Sequence, residues 1–516
     1  MATSAAASVR DAHRYRPPAL TGLAGLVERQ ARERPEARAL VVGRDRLPLS
    51  YRDLAALAGR TADRLRGAGL RRGDVVALVS SNTVEFVVAL LGAARAGLVT
   101  APLDPALPAS ELASRVRELG ARAVLAAEDG VGWTVRVALR RGKAASVGLR
   151  PGPLVPGPPP GLAPQDTVVL CTAGTMGRAR MVPLSHANVA ASVRGICATY
   201  ELGPRDATVA VMPFFHGHGL FAALLAPLAT GGCVLLPACG RFRAETLWDD
   251  LRAVGATWFT AVPSLHEALL ARSETQDPGP HPPPLRFVRS CGGPLNAATQ
   301  RALERMFAAP LLSAYGTTES THQIAGEPLP QRGPLKQGTV GRATTGVRLR
   351  VVGPDGRDRP AGVRGEVWVQ GPTVARGRLA EPAGGARVFT ADGWLRTGDL
   401  GSLDEDGYLS LAGRIGTLIE RGGRTVSPEY VEDVLAGCPS VVEAAVFGVA
   451  DGAGGQRVAA AVVVRGEECA GPAEILRYCR DRLAAFAVPE RIVLVGALPR
   501  TAQGGLDRIA VRDRYA

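Results

Sequence analysis

The alternation that begins at residue 75 limits the possible folds more than any other feature of this chain. Val75-Val76-Ala77-Leu78-Val79 is a short, continuous apolar run. A run of that length bounded by polar residues reads as a buried strand. Residues 83–97 then read as a helix, and residues 123–127 as the next short apolar strand. The pattern resumes at 167–170. Short strands separated by helices predict an α/β architecture with mostly parallel sheets.

At 516 residues the chain is too long for one compact core and predicts at least two structural units. The Pro/Gly-rich stretches 151–164 and 277–284 cannot form helix interiors or central strands. They read as surface connections within one large domain. The chain changes character near Arg414-Ile415-Gly416-Thr417. Beyond it, 431–435 reads as helix, and 441–449 and 458–464 as strands. The expected division is a large N-terminal domain over 1–413 and a small, mobile α+β lobe over 414–516, with a hinge near Gly416.

Composition excludes several classes. With 46% hydrophobic and 21% charged residues the chain is globular, not fibrous or disordered. Net charge is +13, carried by 61 basic residues of which only Lys143 and Lys336 are lysine. The arginines are scattered and their clusters, such as Arg71-Arg72, are short, so no nucleic-acid partner is expected. An anionic substrate fits the charge equally well. The eight cysteines show no CxxC spacing, which predicts reduced thiols and a cytoplasmic location. The apolar stretch 86–103 is cut by Arg95 and Gly97, so no membrane span is expected.

The strand ending at Leu170 runs into Cys171-Thr172-Ala173-Gly174-Thr175-Met176-Gly177-Arg178-Ala179-Arg180. Small residues and glycines let backbone N–H groups converge on phosphate oxygens. Thr172 and Thr175 add hydroxyls and Arg180 a fixed positive charge. No GK[ST] follows, so this is not a Walker loop. It resembles the phosphate loop of the adenylate-forming superfamily, which includes acyl-CoA synthetases, luciferases and the adenylation domains of peptide synthetases. Further motifs arrive in that superfamily's order. They are Met212-Pro213-Phe214-Phe215-His216-Gly217-His218-Gly219, Ser313-Ala314-Tyr315-Gly316-Thr317-Thr318-Glu319, Gly393-Trp394-Leu395-Arg396-Thr397-Gly398-Asp399, and Gly413-Arg414 with Arg421-Gly422-Gly423.

The resemblance implies an AMP-forming ligase: ATP and Mg²⁺ are used to join AMP to a small acid, and the acid then passes to a thiol or amine acceptor, CoA among them. Such chemistry rests on positioning and charge stabilisation. The resemblance assigns catalytic roles to Arg180, His216, Glu319 and Arg414. It places the nucleotide on Thr172 to Gly177 (with Ala173, Gly174, Thr175 and Met176), on Gly292 and Gly293, on Tyr315, Gly316, Thr317 and Thr318, and on Asp399 and Arg414. Glu319 would hold the Mg²⁺, Tyr315 would face the adenine, and Asp399 would accept the ribose hydroxyls. Within the superfamily, Ala256 to Ser264, Leu285 to Cys291 and Glu319-Ser320-Thr321-His322 resemble oxalate–CoA ligases of plants and fungi. In that branch the acid would meet His216, Ser290 and His322.

Two departures matter. Ala173 and Met176 replace hydroxyl residues, and Arg180 stands where the superfamily has lysine. In Leu498-Pro499-Arg500-Thr501-Ala502-Gln503-Gly504-Gly505 the lysine expected after Gly504 is Gly505. Losing such a charge costs on the order of 10²–10³ in rate, by analogy with an oxyanion-hole donor, unless Arg500 or Arg508 compensates. These departures open two alternatives. One is activation of nitrite for diazotisation of an aromatic amine in secondary metabolism. The other is a non-catalytic nucleotide-binding relative.

Overall fold

The computed structural model describes residues 15, 17–20, 22–128, 132–141, 143–155, 161–172, 180–273, 283–333, 335–379, 388–421, 424–451, 456–465, 471–500 and 506–516. The run at 75–79 is the strand Val75–Val79, buried at every position. It continues into the helix Val84–Ala96. The Thr83 hydroxyl caps that helix by accepting from the Phe86 N–H, and Gly97 ends it at φ 79°, a left-handed conformation that glycine adopts without strain. The strand expected over 123–127 spans Ala123–Ala126.

Seven strands form the largest sheet, in the order Ser146–Arg150, Trp133–Ala138, Ala123–Ala126, Val75–Val79, Val99–Leu103, Asp166–Thr172, Arg180–Ser185. Its inner pairings are parallel, and only the two edge pairings are antiparallel. A second sheet sets Trp258–Ala261, Phe287–Cys291 and Leu311–Tyr315 parallel. A third places Ala207–Val209, Cys233–Leu236 and Arg38–Val42 parallel.

The fourth sheet departs from the parallel rule. Arg348–Val352, Gly365–Gln370, Leu395–Leu403 and Leu409–Arg414 pair antiparallel throughout. Among the described residues no helix separates them. The last two are joined by a tight turn at Asp404 to Gly407, with Gly407 at φ 78°, and so short a link can only reverse the chain.

After Arg414 the chain gathers a separate core, with Ile419, Val431, Leu435, Val446, Val458, Val462, Ile475 and Ile492 in one buried cluster. Its three-stranded sheet runs Val441–Ala450, Gln456–Val464, Arg491–Leu494, with the helix Pro428–Ala436 against it. A large N-terminal sheet domain and a smaller C-terminal α+β domain result. Among the described residues no helix is long and apolar enough to cross a membrane.

Candidate active site

Ligands of open parallel sheets bind beyond the carboxyl ends of the strands. Three groups of expected residues lie at such ends. Thr172 closes the strand Asp166–Thr172 and pairs in register with Arg180. Ala173, Gly174, Thr175, Met176 and Gly177 lie outside the described residues. Ser290 sits near the end of Phe287–Cys291, with Gly292 at φ 96° and Gly293, both exposed, just beyond it. Tyr315 ends Leu311–Tyr315.

From Tyr315 the chain makes a turn through Gly316, Thr317 and Thr318 to Glu319. A Cβ on Gly316 would lie 2.4 Å from the His322 carbonyl carbon, so only glycine allows the two ends of the turn to meet. The Thr317 N–H donates to the Ser320 hydroxyl (2.9 Å), and the His322 N–H to the Thr317 carbonyl (2.8 Å). Thr321 and His322 both have left-handed backbones, at φ 51° and 59°. Such conformations are costly for side-chain-bearing residues and persist where surroundings over-determine them. Here the Thr321 hydroxyl donates to the Thr373 carbonyl (2.6 Å), while the Thr321 carbonyl accepts from Ser192 (2.7 Å).

Four expected residues converge on one acidic locus. The Tyr315 hydroxyl donates to one Asp399 carboxylate oxygen, and Arg414 Nε donates to the other at 2.7 Å. Asp399 and Arg414 are register partners on adjacent strands. Burial raises the Asp399 carboxyl above its ordinary pKa, opposed by Arg414. Glu319 faces the same locus and adds to that rise. Glu319 itself accepts from Arg378, at 2.9 Å to Nε and 2.6 Å to Nη2, and both side chains are about one-tenth exposed. Arg378 comes from a segment tied to both sides of the site. The Ala375 N–H donates to the Glu319 carbonyl (2.7 Å), and the Leu379 N–H to the Met181 carbonyl (2.8 Å).

The imidazoles form a second locus. His218 opens the π-helical turn His218–Leu225, and its ring stacks on His322 with centroids 5.3 Å apart. Burial lowers the His216 pKa to about 4 and that of His322 to about 3. These rings are therefore neutral at neutral pH. His216 Nε2 and Ser290 Oγ are buried without hydrogen-bond partners among the described residues. No hydrogen bond joins Ser290 to either ring.

Sequence reading missed Arg378 and Arg289. Arg378 carries no signal, being one arginine among many. Arg289 does: it is the one charge inside the strand Phe287–Cys291, which is buried at every position, and it is itself fully buried. The anticipated compensation for Gly505, itself outside the described residues, is not seen in the two nearest arginines. Both Nη atoms of Arg508 donate to Glu432 at 2.6 Å, and Arg500 pairs with Glu443 at 2.6 Å.

Comparison with known proteins resolves what this arrangement is. The profile "AMP-binding enzyme" matches residues 27–379, and "AMP-binding enzyme C-terminal domain" matches residues 430–504. The chain belongs to the AMP-binding enzyme family. It is an AMP-forming ligase with the large and small domains of that family. It is similar to the oxalate–CoA ligase of Arabidopsis thaliana, 38% identical over 509 residues that cover 96% of this chain and 98% of the relative. It is also similar to the sulfoacetate–CoA ligase of Cupriavidus necator, 32% identical over 96% of this chain and 98% of that one. The ATP-bound MatB from Rhodopseudomonas palustris superposes with a TM-score of 0.82 at 30% identity, covering 95% of this chain and 99% of that one.

Within this AMP-binding enzyme the residues present fit both ATP and Mg²⁺. Among the described residues no three metal-binding side chains cluster. Mg²⁺ suits such a site, because it takes most of its ligands from phosphates and water and needs only one or two carboxylates. Glu319 is a buried carboxylate whose present partner is a cation, the charge type that a metal ion would replace. Asp399 already accepts two hydrogen bonds on separate oxygens, the geometry a pair of ribose hydroxyls requires.

Proposed function

We propose that this enzyme adenylates a small, oxygen-rich dianion, oxalate first among them, and passes the acyl group to CoA. The observation that carries the reading is the neutral, buried imidazole locus of His216 and His322 beside the Tyr315–Asp399–Glu319 locus. An apolar acyl chain would leave the buried His216 Nε2 unpaired, at a cost of about 1–3 kcal/mol. A compact anion satisfies it. Two relatives are named for ligating oxalate and sulfoacetate to CoA, both small dianions. Nothing in the site favours nitrite or a purely binding role over this chemistry.

In the first half-reaction a carboxylate oxygen of the acid attacks the α-phosphorus of ATP. The bond to the β-phosphate oxygen breaks and pyrophosphate leaves. In the second, a thiol sulfur attacks the acyl carbon and AMP leaves, carrying one oxygen of the acid. Asp399 and Tyr315 hold the nucleoside, and Arg180 and Arg414 offset phosphate charge. Mg²⁺ held at Glu319 supplies further neutralisation of the triphosphate. His216, His322 and Ser290 orient the acid as hydrogen-bonding groups, not as ion partners. Residues 1–413 carry these groups except Arg414, which opens the small lobe, and we place the hinge of that lobe near Gly416.

The test is an acid panel. Purified protein, ATP, Mg²⁺ and CoA are combined with oxalate, malonate, sulfoacetate, acetate and octanoate, and AMP is measured. The reading expects oxalate or another small dianion to lead and octanoate to fail. A preference for octanoate would overturn it.

A further inference from the structure

Arg289 is fully buried and bears a charge it cannot lose. Its Nε donates to the Tyr200 hydroxyl (3.2 Å), Nη1 to Thr260 Oγ1 (3.1 Å) and His218 Nε2 (3.0 Å), and Nη2 to Gln323 Oε1 (3.4 Å). None of these partners is an anion. Among the described residues it forms no salt bridge. A buried cation without a counter-charge is expensive, so a native protein that keeps one has a reason outside its own side chains.

The chemistry of the donors fixes a further point. A guanidinium only donates, so His218 Nε2 must accept and cannot carry the ring proton. Thr260 Oγ1, 2.6 Å from the same nitrogen, is satisfied by donating to it while accepting from Arg289. The proton of the neutral ring therefore sits on Nδ1. That Nδ1–H is buried and has no partner among the described residues. Gln323 repeats the pattern: its oxygen faces Arg289, and its buried Nε2 amide is left without a partner. Buried donors with no acceptor are rare in native proteins, and two of them share one cation.

We propose that Arg289 is a positioning residue for the acid substrate: it locks His218 as the Nδ1–H tautomer and turns the Gln323 amide, and the charge of the bound acid is its counter-charge. The inference deepens the proposed function and rests on it. His218 lies stacked against His322, so the orphan N–H belongs to the same locus as the expected acid-binding rings. Arg289 acts from behind His218, through it, and is not itself required to touch the acid. The arrangement favours acids that bring more than one oxygen acceptor and a net charge to match the guanidinium.

The experiment is nitrogen-15 NMR on the full-length protein labelled at histidine, with the His218 signals assigned by their loss in His218→Phe. The expected result is a protonated Nδ1 and an unprotonated Nε2 at neutral pH, and a shift of the Nδ1 signal when oxalate saturates. A protonated Nε2, or an Nδ1 signal unmoved by oxalate that does turn over, overturns the proposal. Kinetics supply the second arm. Arg289→Met should raise KM for oxalate about 10-fold or more and leave KM for ATP within about twofold, with Arg289→Lys intermediate. Should Arg289→Met fail to fold, Arg289→Lys carries the test alone, with a smaller rise in KM for oxalate and KM for ATP again within about twofold. An unchanged oxalate KM in a folded variant overturns the proposal. If no small acid yields AMP at all, the proposed function fails, while the tautomer measured in the ligand-free protein still decides whether Arg289 sets His218.

Discussion

Glu319 is held by Arg378 where a metal ion would sit, and that contact makes a prediction of its own. Removing one partner of a largely buried pair costs on the order of 3–5 kcal/mol, because the other charge is left uncompensated. Glu319→Ala should therefore lower Tm by several degrees and AMP release by at least about 100-fold. The double variant Glu319→Ala/Arg378→Ala should recover most of the Tm and none of the activity. Recovery of activity in the double variant would mean that Glu319 serves stability alone. Histidine protonation gives a second prediction. His216 and His266 titrate near 4 in the folded chain and His322 near 3, all through burial, against an ordinary value of 6.5. Between those values the unfolded chain binds protons that the folded chain refuses. Their contribution to stability is thus complete above about pH 6.5 and declines as pH falls toward 4. A urea titration series from pH 7 to pH 4 should show this decline, and replacing His266 by Phe should flatten it. A series that is flat in the native protein would contradict the buried neutral state of the rings.

The turn from Gly316 to His322 is the element that most depends on its local sequence. Gly316→Ala drives a Cβ into the His322 backbone. It should lower AMP release at least about 10-fold while leaving the far-ultraviolet circular dichroism unchanged, since the parallel strands do not depend on the turn. Loss of secondary structure would show that the turn is part of the core. This element also shows what was legible in the sequence. The strands and helices around it follow from apolar runs such as Val75–Val79, and the site residues from the order of five motifs. The left-handed backbones of Thr321 and His322 were not legible, because neither residue type announces that conformation; bonds to Ser192 and Thr373, distant in sequence, impose it. The same holds for the Arg378–Glu319 pair. Arg289 was legible in principle, as a lone charge in a buried strand, but its neutral set of partners comes from four other segments.

At the scale of the whole molecule, the small lobe carries its own hydrophobic core and, besides the Arg414–Asp399 pair, comes close to the large domain around Gly413 and Glu267. Gly413 lies so close to Ser427 and Glu429 that a Cβ there would fall within 3 Å of both side chains. Glu267 of the large domain is raised in pKa by burial first and by Glu443 of the small lobe next. A Cβ on Gly416 would meet nothing within 4 Å, so the chain is unencumbered where rotation is expected. Gly416→Pro should therefore leave pyrophosphate release within a few-fold and slow thioester formation at least about 10-fold, as a restricted hinge would. Equal slowing of both half-reactions would place the hinge elsewhere. Gly505→Lys restores a charge that neither Arg500 nor Arg508 supplies from its present ion pair, and pyrophosphate release should rise on the order of 10-fold or more. The central claim is that the acid is joined to AMP through its own oxygen before transfer to CoA. Oxalate labelled with oxygen-18, supplied with ATP, Mg²⁺ and CoA, tests it directly by mass spectrometry of the released AMP. The account predicts one labelled oxygen in each AMP and an oxalyl thioester of CoA; unlabelled AMP, or AMP formed only with nitrite and an arylamine, would contradict it.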